Sequence, residues 1–163
     1  MIDLRPFCAN KYDVRTGLHK PWRDGAWVYA TNGHLCVRVP AESIQAAPLR
    51  DAATQPANPP KMFADFLDGM EGEFLLMPPL PADVVCDFCD GGGADDDGDE
   101  CPECFGTKHA FTYFSMGDSG YNLHYLHLLS GLPQARIRTQ GTKTAAALIF
   151  DGGQALLMPM RKK

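Results

Sequence analysis

The chain has 163 residues, 45% of them hydrophobic, and its formal net charge is −5 at pH 7. This size and apolar content suit one globular domain with a substantial core, spanning residues 1–163. No apolar run reaches the roughly 18 residues that a transmembrane helix needs, which argues against an integral membrane protein and against a membrane partner.

The sequence predicts antiparallel strands interrupted by two amphipathic helices. Apolar residues three and four apart indicate the helices, whereas alternation and aromatic or β-branched residues indicate the strands. In the first part of the chain we expect a short helix opened by Pro6 and strands at Val14–His19, Ala26–Ala30 and His34–Val39. A loop at Pro40–Pro60, with one helical turn near Ser43, leads to a helix at Pro60–Asp68. The second part has strands at Glu73–Met77 and Lys108–Met116, a helix at Asn122–Ser130, and strands at Arg136–Thr139, Thr144–Phe150 and Ala155–Met160. Turns are expected at Arg23–Gly25, Asn32-Gly33 and Asp151–Gln154.

Both predicted helices have one apolar face and recognisable ends. Gly69 suits the end of the first helix, and Asn122 suits the N-cap of the second. Each half of the chain combines one helix with antiparallel strands. We therefore predict an α+β domain in which both helices pack side by side on one face of a curved antiparallel sheet. The residues expected to be buried are Met62, Phe63, Phe66 and Leu67 in the first helix and Leu123, Leu126 and Leu129 in the second.

The spacing of four of the six cysteines is the strongest functional signal in the sequence. Two Cys-x-x-Cys turns bend the backbone so that two pairs of thiolates can face one ion, which is the ligand set of a tetrahedral Zn²⁺ site. A glycine follows each pair, at Gly91 and Gly106, where left-handed backbone is useful. The predicted zinc ligands are Cys86, Cys89, Cys101 and Cys104.

Disulfide and redox roles fit these cysteines less well. Disulfides imply secretion, and Met1–Asn10 has no basic stretch followed by an apolar one, as a signal peptide would. Cys8 and Cys36 have no obvious partner, which suits a reducing cytoplasm. A thioredoxin-like pair would not explain two mirrored motifs. We therefore expect a cytoplasmic protein with a structural zinc ion, since four protein ligands leave no open position for water or substrate.

The zinc-binding segment is predicted to be a hairpin inserted at residues 84–108, and it is strongly acidic. Residues 86–104 hold eight acids and no lysine or arginine, which leaves twelve acids and fifteen bases in the remainder. An EF-hand does not fit, because Gly98 is at the wrong position after Asp95 and no glutamate follows at loop position twelve. A solvated acidic loop is favoured, and the mildly basic remainder allows nucleic-acid contact without requiring it.

His124 and His127 are three residues apart on the second predicted helix. That spacing allows a metal site, but no carboxylate pattern lies nearby, so surface or half-buried histidines are favoured. The sequence has no Ser/His/Asp or Cys/His arrangement, and the Gly91–Gly93 run lacks the Gly-Lys-Ser/Thr that completes a phosphate-binding loop. We therefore expect a protein that is not an enzyme.

Three segments resemble a known family. Asp13–Arg15 reads Asp-Val-Arg, Val28–Leu35 reads Val-Tyr-Ala-Thr-Asn-Gly-His-Leu, and Ala155–Arg161 ends in Met-Pro-Met-Arg. They resemble the bacterial sliding clamp, the beta subunit of DNA polymerase III. Its middle domain has an Asp-Val-Arg segment and then an Ala-Thr-Asp-Gly-His-Arg-Leu turn, and its last domain finishes in a Val-Met-Pro-Met-Arg strand. Asn32 and Leu35 stand where the family has Asp and Arg.

The resemblance implies a DNA-clamp-like fold and a role in DNA replication or repair. In the family, the His-bearing turn and the final strand line a hydrophobic groove that takes a short linear peptide from polymerases and other replication proteins. A clamp subunit has three such domains and this chain has the length of one, which favours a phage or mobile-element protein acting in the bacterial cytoplasm. Carried over to this sequence, the groove residues are Thr31, Gly33, His34, Leu35, Met158, Pro159, Met160 and Arg161.

Two functional hypotheses follow. The first is a sliding-clamp-like accessory protein that binds replication or repair proteins and forms a ring around double-stranded DNA or mimics the host clamp. A head-to-tail homo-oligomer, which is slightly favoured, would set Thr31–Leu35 of one copy beside Met158–Arg161 of the next. The alternative is a monomer or simple dimer in which the two segments meet within one domain or do not meet. The second is a zinc-hairpin nucleic-acid-binding or regulatory protein on a clamp-like scaffold. The predicted helices carry little positive charge for a DNA-lined hole, since Lys61 is accompanied by two aspartates.

Overall fold

A computed structural model describes residues 2–44, 59–68 and 72–161. The strands in these ranges are β1 (Trp22–Asp24), β2 (Trp27–Thr31), β3 (Leu35–Pro40), β4 (Leu75–Leu76), β5 (Tyr113–Met116), β6 (Ser119–Asn122), β7 (Arg136–Arg138), β8 (Ala146–Phe150) and β9 (Gly153–Leu157). The helices are α1 (Pro59–Phe63), which continues as a π-helical turn at Ala64–Asp68, and α2 (Leu123–Ser130). Short 3-10 turns lie at Arg5–Phe7, Thr16–Leu18 and Ala41–Ser43.

Seven strands form one antiparallel sheet in the order β1-β2-β3-β9-β8-β7-β4. At its centre β3 pairs with β9, so that Leu35 lies opposite Leu157 and Val37 opposite Ala155. Strands β5 and β6 form a separate two-stranded ribbon immediately before α2. This is an α+β fold with an antiparallel sheet, as the sequence predicts. No helix in the described ranges is long and apolar enough to cross a membrane.

The two helices lie on opposite faces of the sheet, so the predicted side-by-side arrangement on one face is wrong. This placement contradicts the clamp-like packing of helices that the family resemblance implies. Leu126 and Leu129 of α2 belong to a buried cluster with alternate residues of the central strands, including Leu148. Phe63 of α1 belongs to a second cluster with the intervening residues, including Leu156. Because successive side chains of a strand point to opposite faces, these two clusters are separated by the sheet itself.

The face of β3 that carries Cys36 and Arg38 is covered by α1. Cys36 is only 4% exposed. The guanidinium of Arg38 lies 4.4 Å from the ring of Trp27 and 4.2 Å from the ring of Phe63, so its planar cation is stacked under aromatic rings rather than solvated. Strands covered on both faces carry apolar residues at nearly every position, and Ala146–Phe150 shows this pattern.

Several predicted elements differ in extent from those observed. Val14–His19 is not a strand, since Val14 is 92% exposed and a short 3-10 turn follows it. Strands β1 and β6 were not predicted, because turn residues dominate both segments. The strand expected at Ala155–Met160 ends at Leu157, and its last residues leave the sheet. The α2 helix begins as predicted, since the side-chain oxygen of Asn122 accepts from the backbone N–H of His124 at 2.9 Å. Gly69, the predicted end of the first helix, and most of the loop at Pro40–Pro60 lie outside the described residues.

Candidate metal centre and adjoining groove

The four cysteines predicted as zinc ligands converge on one point. The sulfurs of Cys86 and Cys101 are 3.9 Å apart, those of Cys89 and Cys104 are 3.7 Å apart, and all four lie within 4.8 Å of one another. Four thiolates about 2.3 Å from a tetrahedral Zn²⁺ are about 3.8 Å apart. A disulfide would need about 2.05 Å. The spacing therefore fits one tetrahedral metal ion and excludes disulfides among these four thiols.

Two matching backbone turns produce this convergence. After the first pair, Asp90 and Gly91 have φ angles of 46° and 73°, and after the second pair Phe105 and Gly106 have φ angles of 50° and 69°. In each turn an N–H donates back to the first cysteine of the pair, from Gly91 at 3.1 Å and from Phe105 at 2.8 Å. The left-handed positions expected at both glycines are thus confirmed.

The thiols of the quartet differ in how readily they ionise. Burial opposes ionisation of Cys89, but the N–H of Gly93, 3.2 Å from its sulfur, and the neighbouring thiols together lower the pKa of Cys89 to about 7. Near neutral pH about half of the Cys89 side chains are therefore thiolates, the form that binds a cation. Burial raises the pKa of both Cys8 and Cys36 to about 12, and neither belongs to the quartet.

The acidic tip of the hairpin is a hydrogen-bonded turn. One carboxylate oxygen of Asp95 accepts from the N–H of Asp97 at 3.1 Å and from the N–H of Asp99 at 2.9 Å. Ala94 and Glu100 form an isolated antiparallel bridge across the turn. The carboxylates of Asp97 and Asp99 are left exposed, as expected for a solvated acidic loop.

The hairpin is fastened to the rest of the chain at its second turn. The side-chain amide of Asn10 donates to the carbonyl of Phe105 at 2.9 Å. A Cβ at Gly106 would lie 2.6 Å from the amide nitrogen of Asn10, so this position needs glycine for the close approach as well as for its φ angle. Val85 and His109 form an isolated bridge at the base of the two arms.

The turn predicted to line a groove is shaped by short-range hydrogen bonds. The side-chain oxygen of Asn32 accepts from the N–H groups of His34 and Leu35 at 2.9 and 3.0 Å. Arg15, paired with Asp13 at 2.6 Å, donates to the carbonyl of Asn32 at 3.2 Å. The Asp-Val-Arg segment therefore holds the His-bearing turn in place.

The C-terminal segment runs beside this turn within the same chain. The N–H of Met158 donates to the carbonyl of His34 at 2.8 Å, and the N–H of Met160 donates to the carbonyl of Gly120 at 2.8 Å. The two segments therefore meet within one chain, which was the alternative to the favoured contact between copies. The head-to-tail contact between copies is not needed to bring them together.

A groove of about 780 Å³ opens between the C-terminal segment, the His-bearing turn and the hairpin. Five of the eight predicted groove residues line it. Thr31, Gly33 and Leu35 do not line it. The Leu35 side chain is only 2% exposed and packs in the core, while the hydroxyl of Thr31 donates to the carbonyl of Leu35 within the turn. The lining residues are His34, Pro102, Glu103, Phe105, Phe111, Tyr113, Asn122, Tyr125, Met158, Pro159, Met160 and Arg161.

Aromatic side chains that were not predicted as groove residues form one wall of the groove. Phe105 and Phe111 are 54% and 36% exposed, and their rings meet edge to face with centroids 5.6 Å apart. Tyr125 stacks on His34 with centroids 5.8 Å apart. A second cavity of about 490 Å³ is lined by the same four rings, which therefore separate two adjoining hollows. Phe105 follows Cys104 directly, but nothing local indicates that the hairpin folds back over the groove.

The basic residues of the described regions do not form a DNA-binding face on the helices. Lys61 pairs with Asp65 at 2.6 Å. Arg138 is 9% exposed, and its guanidinium donates to the carbonyls of Leu67 and Gly72 at 2.9 and 3.2 Å. Its charge is used to hold the end of the α1 segment against the sheet.

The two histidines of α2 contact different groups rather than each other. The Nε2 atom of His127 lies 2.7 Å from the carbonyl oxygen of Pro81. The Nδ1 atom of His124 lies 2.7 Å from a carboxylate oxygen of Asp83. A site made by this histidine pair is therefore not observed.

Comparison of the chain with protein-family models, curated proteins and solved structures finds no match.

Proposed function

We propose that this chain is a non-enzymatic accessory protein that binds short apolar peptide segments of DNA replication or repair proteins, as the sliding-clamp resemblance implies. The proposal rests on the meeting of the His-bearing turn and the C-terminal segment at one groove. Arg15 holds the His-bearing turn through the carbonyl of Asn32, and His34 of that turn lines one groove with Met158–Arg161, although these segments are distant in the chain. A reducing cytoplasm, where free thiols persist, is the compartment this chemistry suits.

The chemistry of the groove suits an apolar peptide. Met158 and Met160 provide flexible thioether side chains that adapt to different partners. Pro159 has no N–H group, so the segment cannot extend the sheet at that position. Phe105 and Phe111 present exposed rings, the type of side chain that contributes most to protein–protein binding energy. The groove volume also lies in the range of about 300–1,000 Å³ that is usual for ligand sites.

A Zn²⁺ ion held by the four cysteines would have a structural role in this site. The only buried cluster within the hairpin consists of the cysteines themselves, so the hairpin has no apolar core that would fold it without metal. Phe105 follows the ligand Cys104, and its position at the groove therefore depends on the metal centre.

The proposal is limited to protein binding and does not include a ring around DNA. The helices occupy opposite faces of the sheet, and the basic residue of α1 is paired with an acid. The eight acids of residues 86–104 would repel phosphate groups, which disfavours the alternative of a nucleic-acid-binding hairpin.

The test is the binding of a fluorescently labelled clamp-binding peptide, measured by anisotropy. Replacing Met158 and Met160 together with aspartate removes two apolar contacts and places charge in an apolar groove. Burying one such side chain contributes about 1.5–3 kcal/mol. Each 1.4 kcal/mol corresponds to about tenfold in affinity. We therefore expect a loss of about 100-fold or more.

The matched control is the same substitution at Leu75 and Leu76, two apolar residues that are 62% and 70% exposed on the edge strand β4, outside the groove. This control should bind the peptide like the unmodified protein. Equal loss in the control, or no binding by the unmodified protein at millimolar peptide, would contradict the proposal. Circular dichroism of both variants verifies that they are folded.

A further inference from the structure

A second cluster of metal-ligating side chains lies where the hairpin joins α2. Asp83 is on the incoming arm, His109 is on the outgoing arm and His124 is in the first turn of α2. The Nδ1 atoms of His109 and His124 lie 2.9 and 2.7 Å from the same carboxylate oxygen of Asp83. The side chains are 30%, 19% and 14% exposed for His109, Asp83 and His124, so solvent reaches the cluster only in part.

Hydrogen bonds within the described residues do not satisfy this cluster. His124 makes an aligned hydrogen bond to Asp83, but the Nδ1 atom of His109 and the second carboxylate oxygen of Asp83 are buried without a hydrogen-bond partner. A neutral His109 that is protonated on Nε2 would place a ring lone pair 2.9 Å from a carboxylate oxygen, which is repulsive. The tautomer protonated on Nδ1 does not resolve this, because the Nδ1 atom of His109 makes no aligned hydrogen bond to Asp83. A cation between the histidine nitrogens and the carboxylate would give both unpartnered atoms a partner.

We propose that Asp83, His109 and His124 form a second metal site, which takes Zn²⁺ or another divalent transition metal that prefers imidazole ligands. Metal–nitrogen distances of about 2.0–2.1 Å place neighbouring ligand atoms about 2.9–3.4 Å apart in octahedral or tetrahedral geometry. The observed contacts of 2.7 and 2.9 Å are close to the short end of this range. The unpartnered oxygen of Asp83 would be a fourth ligand atom.

Loading this site requires a small movement of the two imidazole rings. They now stack with centroids 4.0 Å apart and an interplanar angle of 14°, so the ring lone pairs do not point at a common centre. Rotation about the Cβ–Cγ bond of each histidine corrects this, and that torsion is soft because its energy wells are broad.

A metal at this position would join three segments that are distant in the chain. Asp83 and His109 lie on the two arms that the Val85–His109 bridge brings together, and His124 is 41 residues from Asp83. The ion would fix the base of the hairpin on α2, independently of the four-cysteine centre. The ligand set of two nitrogens and carboxylate oxygen also differs from the thiolate quartet, so the two sites can be told apart by spectroscopy.

The test is the metal content of tag-free protein after equilibration with Zn²⁺ and removal of free metal, measured by mass spectrometry of the digested sample. We expect two zinc ions per chain in the unmodified protein and one in the His109→Ala variant. The matched control is His127→Ala, which removes a histidine of the same helix outside the cluster and should retain two. Substitution of Cys101 by alanine should leave one ion. With Co²⁺ that variant should show no thiolate-to-cobalt charge-transfer band.

One zinc ion per chain in the unmodified protein, or a content that His109→Ala does not change, would overturn the proposal. The two Nδ1 atoms would then carry N–H groups directed at Asp83 in place of a metal, visible as Nδ1–H tautomers in ¹⁵N NMR. Because the unmodified protein alone gives the stoichiometry, the result does not depend on whether His109→Ala folds. Asp83→Asn provides a second variant, expected to lower the content to one. Peptide binding is not part of this readout, so the outcome is independent of the proposed function.

Discussion

Replacing Cys101 with alanine should abolish metal binding at the thiolate quartet and unfold the hairpin without unfolding the rest of the chain. Cys101 is fully buried among the other three thiols, so no other side chain in the described residues can take its place. Structural zinc in finger peptides binds with an apparent free energy of about 10–16 kcal/mol at pH 7. A typical domain has a net stability of only about 5–15 kcal/mol. A segment whose core is four cysteines therefore cannot stay folded without the ion.

Unfolding in this variant should stay within the hairpin, because the two large apolar clusters do not depend on it. Neither of the two large apolar clusters contains a residue of 86–104. Hydrogen exchange measured by mass spectrometry or NMR should therefore show loss of protection at Gly93 and Phe105, whose N–H groups bond within the hairpin, and retained protection in β3, β8 and β9.

The sulfur separations also predict the metal–sulfur distance in the quartet. Sulfur separations of 3.7 and 3.9 Å correspond to metal–sulfur distances of about 2.3–2.4 Å in a tetrahedron. X-ray absorption of the zinc protein in the His109→Ala background should show four sulfurs at about that distance. Cys8→Ala is the matched control, because that thiol lies outside the quartet, and it should keep the metal. A Cys101→Ala protein with undiminished quartet metal, or one that unfolds globally in a single step, would refute this reasoning.

Two further substitutions test the fold. Phe63→Ala should lower the free energy of unfolding, measured in urea, by about 3–5 kcal/mol, because the ring is fully buried between α1 and the sheet. Met62→Ala is the control and should lower it by less, because the Met62 side chain is only half-buried. A loss below about 1 kcal/mol for Phe63→Ala would mean that α1 does not cover this face. Asn122→Ala should cost about 0.5–2 kcal/mol through loss of the α2 N-cap, and Asn122→Asp should retain most of the stability; if the alanine variant is as stable as the aspartate variant, the cap does not stabilise this helix.

Local features were predictable because their causes are local. The convergence of the four cysteines follows from two Cys-x-x-Cys turns, each of which fixes its own geometry within a few residues. The start of α2 follows from one side-chain hydrogen bond at Asn122, and the Asn32-Gly33 turn follows from hydrogen bonds over three residues. Strand β6 was not predicted, because its residues are typical of a turn. It pairs with β5 because Gly120 has no side chain, since a Cβ there would collide with the ring of Tyr113.

The groove was only partly predictable. The family resemblance indicated the His-bearing turn and the Met-Pro-Met-Arg segment, but sequence alone left open whether they meet within one chain or between copies. The Met158–His34 hydrogen bond decides this. The buried position of Leu35 and the aromatic wall from the hairpin come from packing, which places Phe105 beside residues far away in the sequence.

The sequence by itself determined the cysteine quartet, the acidic hairpin, both helices and most strands of an antiparallel sheet, because spacing and periodicity act between near neighbours. Only the tertiary structure decided which element covers each face of that sheet. Alternation along a strand shows which residues share a face but not what covers that face, and only the packing shows that Cys36 and Arg38 lie beneath α1. The same limit concealed the meeting of Asp83, His109 and His124, whose positions are set by how the hairpin docks on α2.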